Sequence, residues 1–166
     1  MRNDRNILFT ERRKNCVIAI VNLGEVSPGE YDEVWAIVRS PKNAPKWMRH
    51  VPELSPGWEL FGFYQKQRKK LRWTQKVFRE EYVPRFLDEM RAPAARNALN
   101  ELCLRSKRGE TIAIGCFCMD FDKCHRSIIA SLLDGAGCEV EVKDGQMRDE
   151  YYRLYREIER PQVQRK

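Results

Sequence analysis

The sequence predicts a three-layer α/β domain with a parallel sheet of about four strands. The clearest observation is a strand, loop, helix and strand within about thirty residues: TIAIGCF at 111–117, SIIASLL at 127–133 and CEVEV at 138–142. Such a βαβ unit pairs its two strands in parallel through a right-handed crossover. Two further apolar, β-branched runs, at 16–21 and 34–38, predict the remaining strands.

Length and composition fit a folded chain with a single domain. The 166 residues are 42% hydrophobic and 33% charged, and compact domains hold roughly 100 to 200 residues. We therefore expect one α/β domain over 1–166. No apolar stretch approaches the ~18 residues that a membrane helix needs, and the charged N-terminus is unlike a signal peptide. These features predict a cytoplasmic protein without membrane contact, whose six cysteines are reduced.

The remaining elements follow in chain order. The strand at 34–38 ends at Pro41, because proline stops a ladder, and the proline- and glycine-rich stretch 41–62 predicts a loop. Helices are predicted after Thr74, at 93–106 and at 147–158. Pro84 predicts a kink in the first of these. The apolar stripe of that helix recurs every four residues, at Phe78, Tyr82, Phe86 and Met90.

Positive charge is concentrated in one segment. The sequence carries 31 basic and 24 acidic residues, for a net charge of +7. Residues 64–79 (YQKQRKKLRWTQKVFR) contain seven Lys or Arg and no acid, within a predicted basic helical insertion at about 62–91. Such a segment could contact a phosphate backbone and stack on bases, or it could be a solvated helix face. The candidate nucleic-acid contacts are Lys66, Arg68, Lys69, Lys70, Arg72 and Trp73.

The loop at 118–126 (CMDFDKCHR) is the candidate site, because ligands of open α/β sheets bind at the carboxyl ends of the strands. Cys124 opens the following helix, where unpaired N–H groups and the positive end of the dipole favour a thiolate. His125 could exchange a proton near neutral pH or hydrogen-bond as a cap. We predict Cys118, Cys124 and His125 as the catalytic candidates.

The same helix N-terminus could hold a phosphate or carboxylate. The anion-binding candidates are Arg39, Arg126 and Ser127, with Arg126 able to make bidentate contacts. Arg39 and Arg126 each follow an apolar strand, directly or through one loop. We therefore expect their side chains to approach a common pocket at the carboxyl ends of neighbouring strands.

The spacing of the cysteines bears on four other roles: packing, zinc binding, a phosphatase cradle and a disulfide. Cys103, Cys116 and Cys138 lie in apolar runs and are predicted to pack as small hydrophobic residues. The pattern C-x-C-x5-C-H offers four zinc ligands, but the ends of C-x-C lie roughly 6.6 Å apart in an extended strand, so we predict no metal and no cofactor. The C-x5-R cradle of a cysteine phosphatase is absent. A disulfide between Cys118 and Cys124 stays open.

The run ETIAIGCFCMDFDKCHRSIIASLLDGAG resembles the hallmark segment of the domain-of-unknown-function family four-eight-eight, in which Cys-His-Arg-Ser opens an apolar helix. Arg39 and Pro41 after VWAIV resemble a second element of that family, and FREEYVPRFLDEM resembles its tyrosine-bearing helix. This chain has Ile37 where an aspartate usually precedes the Val-Arg pair, and Met119 and Asp120 where an acidic residue often comes first. The resemblance implies a Rossmann-like α/β fold and names no reaction.

Two functions follow as hypotheses. In the first, the chain binds or processes a phosphate-bearing substrate, a nucleotide or nucleic acid, at the Cys-His-Arg loop. In the second, it is a non-catalytic nucleic-acid-binding protein that uses the segment 64–79, and the loop is structural.

Overall fold

The computed structural model describes residues 17–159 of the chain. Its five strands form one all-parallel sheet flanked by helices, which is consistent with a Rossmann-like three-layer fold and confirms the predicted fold class. Position 16, in the first predicted strand, lies outside the described residues. The strands are β1 Ile18–Asn22, β2 Glu33–Ala36, β3 Arg49–His50, β4 Ile112–Cys116 and β5 Val140–Val142, in the order β3-β2-β4-β1-β5. The strand β1 lies between β4 and β5 and pairs with both, so the prediction that the two strands of the βαβ unit pair with each other is wrong, although they run in parallel.

The two central strands set the register of the sheet. Ile18 of β1 pairs with Ile112 of β4, and Asn22 pairs with Cys116 at the other end. All five residues of each of these strands are buried, as expected for parallel strands covered on both faces, which form continuous apolar runs. Because β1, β2 and β4 run in parallel, their carboxyl ends emerge at one edge of the sheet, and the candidate site lies there.

The helices are bounded as follows: α1 Trp58–Lys69, α2 Gln75–Glu89 in three segments, α3 Pro93–Lys107, α4 His125–Gly135 and α5 Glu150–Glu159. Residues of these helices pack on one sheet face through Ile18, Ile20 and Ile114. The other face carries a smaller cluster of Ala19, Val21 and Ala36, which is covered by Leu23, Met48 and their neighbours.

The strand β3 and the first five residues of the helix α1 lie inside the stretch 41–62 that was predicted to be a loop. β3 has only Arg49 and His50, which are exposed and half-buried, so no apolar pattern marks it. Its pairing with β2 is tertiary, through Trp35 opposite Arg49. The helix α1 begins at Trp58, four residues before the start of the predicted helical insertion.

The helix α2 contains a π-helical turn where Pro84 was predicted to kink it. The segments are Gln75–Val77, the π turn Phe78–Tyr82 and Val83–Glu89, and the N–H of Val83 donates to the carbonyl of Phe78. Pro84 has no N–H to donate to an α-helical partner. The wider turn immediately before it accommodates that missing bond, and π turns recur at functional sites.

Cys103 and Cys138 form a disulfide, so the prediction of reduced thiols is wrong for these two residues. The turn after α4, where Gly137 has a φ of +90°, brings Cys138 against α3 with a Cα–Cα distance of 5.7 Å. Such a separation lies inside the range that a disulfide needs, whereas the sequence separation of 35 residues gave no sign of it. Within the described part of the chain, no helix is long and apolar enough to cross a membrane.

Candidate active site

A cavity of about 530 Å³ opens at the carboxyl edge of the sheet. The loops after β2 and β4 form one side of it, and α1 and α2 form the other. The candidate residues Arg39, Cys118, Cys124 and His125 all line it. The fold therefore brings together the three predicted catalytic residues and one of the two predicted arginines.

Three free thiols converge on the floor and wall of this cavity. Cys116 ends β4, and Cys124 is the N-cap residue of α4; their Sγ atoms lie 3.1 Å apart. Cys118 follows the strand, is half-buried, and its backbone N–H donates to the Cys116 Sγ at 3.4 Å. The prediction that Cys116 only packs is incomplete, because this side chain contacts the predicted nucleophile.

The thiols differ in how readily they ionise. Burial alone would raise the pKa of Cys124, but hydrogen bonds from the thiols of Cys116 and Cys118, followed by the charge and backbone N–H of Arg126, lower it well below its ordinary value. Burial raises the pKa of Cys116 well above its ordinary value. For Cys118, a hydrogen bond with Cys116 lowers the pKa, while its bond to Cys124 and its burial outweigh that effect and raise it. Among the three thiols, ionisation is therefore favoured most at Cys124.

His125 is buried beside Cys124 and is held in one orientation. Its Nε2 lies 2.7 Å from the backbone carbonyl of Ile37, and its Nδ1 lies 3.7 Å from the Cys124 Sγ. A carbonyl can only accept, so Nε2 carries the proton and the unprotonated Nδ1 is the ring nitrogen beside the Cys124 Sγ. Burial lowers the pKa of His125, which keeps the ring neutral near pH 7.

Arg126 lies behind the cavity wall. Its side chain has no exposed surface, and its guanidinium binds both carboxylate oxygens of Asp144, at 2.9 and 3.1 Å, and the carbonyl of Cys118 at 2.7 Å. It fixes the loop and places a positive charge beside Cys124. Ser127 is also buried, and its hydroxyl donates to the carbonyl of Cys124 at 2.7 Å. These two residues organise the helix start, and their predicted anion contacts stay a prediction.

Arg39 does line the cavity. Its Nε and Nη2 donate to the carbonyls of Pro56 and Pro52 at 2.8 and 2.7 Å, which hold the side chain in place. Its Nη1 makes no hydrogen bond to the described residues. Arg39 thus offers a positioned cationic donor at the cavity, although it does not share the cavity surface with Arg126.

Aromatic rings of the basic segment and α2 form the opposite wall. Trp73 packs edge-on against Tyr64 and Tyr82, with ring centroids 4.8 and 5.3 Å away. Its Nε1 donates to the carbonyl of Lys123 at 3.3 Å, so Trp73 is a wall residue and not an open stacking platform. Arg68 also reaches the cavity. The other predicted nucleic-acid contacts, Lys66, Lys69, Lys70 and Arg72, lie exposed on or just after α1.

Tyr82 is a site residue that the sequence reasoning placed only in a core stripe. Its ring is stacked between Phe78 and Phe86, at centroid distances of 5.3 and 6.0 Å. The residue lines the cavity together with the thiols, and its hydroxyl has no hydrogen-bond partner among residues 17–159. Burial, and then the charge of Cys124, raise its pKa well above the ordinary value. In the sequence, the only sign of this role was the hydroxyl group of Tyr82 in a stripe whose other members are apolar.

A possible metal site was tested on the distances between donor atoms. The donor atoms of Cys116, Cys124 and His125 all lie within 4.8 Å of one another. Around zinc, with Zn–S bonds of about 2.3 Å, two sulfurs keep about 3.8 Å between them. The observed 3.1 Å between Cys116 and Cys124 is shorter and suits a thiol that donates to a thiolate. The predicted absence of zinc stays a prediction.

The fold and the site together define an α/β protein with a cysteine cluster at the carboxyl edge of a parallel sheet. The chain matches the family model DUF488-N3a, described as the active DUF488-N3 subclade, over residues 18–137. It therefore belongs to the DUF488 family, which confirms the resemblance carried by the Cys-His-Arg segment. No curated protein and no solved structure matches the chain significantly.

Proposed function

We propose that this chain is an enzyme in which the Cys124 thiolate is the nucleophile and a phosphate-bearing molecule, a nucleotide or nucleic acid, is the substrate. One observation carries the proposal: Cys124 lines a cavity of about 530 Å³ while two thiols and Arg126 stabilise its ionised form. A thiol that only packs needs neither a cavity nor a partner for its charge. The description of the matched subclade as active agrees with an enzyme.

The neighbours of Cys124 supply the other parts of covalent catalysis. The Sγ attacks an electrophilic carbon of the substrate, a C–S bond forms, and the leaving group departs with the bonding electrons. The Tyr82 hydroxyl, protonated because of its high pKa, donates a hydrogen bond to the developing negative charge. Water then attacks the same carbon, the C–S bond breaks and the thiolate is restored. The Nδ1 of His125, which lies 3.7 Å from the Cys124 Sγ, accepts the proton of that water.

The walls of the cavity support the choice of substrate. Tyr64 contributes an aromatic ring to the lining, and Arg39 and Arg68 place positive charge on the same cavity. Lys123 adds less, because it pairs with Asp120 at 3.4 Å. Aromatic rings beside guanidinium groups suit a base joined to a phosphate. The basic segment continues from Arg68 along the surface, where a longer polyanion could lie.

Site-resolved alkylation tests the proposal. Reduced protein is treated with iodoacetamide at pH 6 to 7, with and without adenosine monophosphate, and each cysteine is quantified by mass spectrometry. We expect Cys124 to react about tenfold faster than an ordinary thiol of pKa ~8.5, and the nucleotide to slow that reaction. Arg39→Met should abolish the protection and leave the labelling intact. Arg96→Met, an exposed arginine of α3 outside the cavity, is the control.

Labelling of Cys124 no faster than of Cys116 would refute the thiolate. Fast labelling without nucleotide protection would keep the nucleophile and refute the substrate class.

The alternative function, non-catalytic binding of nucleic acid, has one observation in its favour: one continuous segment on and just after α1 exposes five cations, Lys66, Arg68, Lys69, Lys70 and Arg72. Fluorescence anisotropy with a labelled single strand tests it. If Lys69→Gln with Lys70→Gln weakens binding and lowers its salt dependence, while Cys124→Ala changes neither, the basic segment binds independently of the thiols.

A further inference from the structure

Two sulfurs form a close contact at the floor of the cavity. The Sγ atoms of Cys116 and Cys124 lie 3.1 Å apart and are not bonded. We propose that this pair is a peroxide-reducing dithiol, in which a hydroperoxide oxidises Cys124 and Cys116 then closes a disulfide. This activity goes beyond the proposed function, because its substrate carries an O–O bond and needs no phosphate.

Access decides which thiol meets the peroxide first. Cys124 and Cys116 are 3% and 2% exposed, yet both line the cavity that opens at the sheet edge. A hydroperoxide is small enough to reach this floor, and only a thiolate attacks it readily. Cys124 has the two thiol donors and the backbone N–H of Arg126 around its sulfur. Cys116, its pKa raised by burial, remains the protonated partner.

Geometry makes Cys116 the resolving thiol. A disulfide needs a sulfur separation of about 2.05 Å, so the pair must close by about 1 Å, which small side-chain rotations can supply. Both residues belong to ordered elements, the last residue of β4 and the N-cap of α4. The backbone N–H of Cys118 already donates to the Cys116 Sγ and stabilises the charge that it develops as it loses its proton.

The steps balance as follows. The Cys124 thiolate attacks the distal oxygen of ROOH: an S–O bond forms, the O–O bond breaks, and the alkoxide takes a proton from water to leave as ROH. The product is a sulfenic acid on Cys124. The Cys116 sulfur then attacks the Cys124 sulfur, the S–S bond forms, the S–O bond breaks, and the oxygen leaves as water with the Cys116 proton. An external dithiol restores both thiols and becomes a disulfide itself.

The test uses the full chain with its Cys103–Cys138 disulfide intact and one equivalent of hydrogen peroxide. We expect two free thiols to disappear per peroxide, a cross-linked peptide pair containing Cys116 and Cys124, and catalytic peroxide consumption with dithiothreitol. Cys116→Ser should stop at a dimedone-reactive sulfenic acid on Cys124. Arg96→Met, which changes an exposed arginine of α3 outside the cavity, is the control and should still form the Cys116–Cys124 disulfide.

A Cys118–Cys124 cross-link, or oxidation of Cys124 no faster than that of Cys118, would overturn the proposal. If Cys116→Ser does not fold, as judged by near-ultraviolet circular dichroism, the cross-link in the wild-type chain decides alone. Nucleotide-protected alkylation of Cys124 without a peroxide-induced disulfide would refute this inference and leave the proposed function standing. A disulfide without nucleotide protection would do the reverse.

Discussion

Two pairs of cysteines in this chain differ in bonding and in surroundings. Cys103 and Cys138 join α3 to the turn before β5 through a covalent bond, away from the cavity. Cys116 and Cys124 approach to 3.1 Å, remain unbonded, and lie at the carboxyl edge of the sheet. Cys103, Cys116 and Cys138 fall in apolar runs of the sequence, whereas Cys124 stands between Lys123 and His125. Their roles differ because the second pair has an opening, hydrogen-bond donors and a positive charge beside it, whereas the first pair has packing only.

The largest expected effect concerns the charge that supports the thiolate. Arg126→Met would leave the Asp144 carboxylate and the Cys118 carbonyl without their donor. Breaking a buried ion pair from one side costs about 3 to 5 kcal/mol. We expect a loss of that size in urea unfolding, together with a higher pKa of Cys124. The control, Arg148→Met, removes an exposed pair with Asp122 at 3.6 Å and should cost less than about 1 kcal/mol. Equal losses would refute the role of Arg126.

The next largest effect concerns the Cys103–Cys138 disulfide. Replacing Cys103 and Cys138 together by serine removes a cross-link over 35 residues, which should cost about 3 to 4 kcal/mol in urea unfolding. The rate of Cys124 alkylation should not change, since the disulfide touches no residue of the cavity. A slower reaction at Cys124 in the double variant would show that the two pairs are coupled.

A smaller effect depends on pH. The folded state lowers the pKa of Cys124 below the ~8.5 of an unfolded thiol. Its ionisation therefore stabilises the fold above the unfolded pKa, and this contribution disappears as pH falls through the lowered folded value. The stability difference between the wild-type chain and Cys124→Ala should accordingly grow from pH 5 to pH 8. For the Cys103→Ser, Cys138→Ser double variant it should stay constant, which unfolding curves at several pH values would check.

The smallest expected effect is the absence of a signal. Elemental analysis of the reduced protein should find no stoichiometric zinc, because the sulfurs of Cys116 and Cys124 lie closer together than two zinc ligands do. One zinc per chain, lost in Cys124→Ser, would contradict this prediction. The thiol cluster would then be a structural metal site, and its role would be structural like that of the Cys103–Cys138 disulfide.

The sequence was informative where the pattern is local. The succession of β4, α4 and β5 was predictable, because two apolar strands, an apolar helix and a glycine turn follow one another in the sequence. The position of β1 between β4 and β5 was not, because it depends on a strand about ninety residues earlier in the chain. The candidate loop followed from its position after a strand. Contacts that depend on tertiary packing were not predictable. The two polar residues of β3 form a strand only because they pair with β2, and the Cys103–Cys138 disulfide joins elements that are distant in the chain.

Arg126 shows the same limit within the site. The residue was correctly placed in the first turn of α4, but the direction of its side chain depends on Asp144, eighteen residues away in the chain. The apolar neighbours of Cys116 in its strand predict a packing role, and the sequence gives no sign that its sulfur contacts Cys124. Tyr82 was placed on the right stripe of α2, and only the assembled cavity shows that its hydroxyl is open.

The π turn of α2 makes the cavity sensitive to chain length and not only to side chains. A π turn holds one residue more than the α-helical turn that it replaces, so each residue before it is rotated by about 100° relative to an uninterrupted helix. Deleting the exposed Glu80 would restore regular winding and turn Trp73 away from the rings of Phe78 and Tyr82 that it now contacts. One wall of the cavity would open while every thiol kept its place, so a single-codon deletion could redesign the mouth of this pocket without altering its floor.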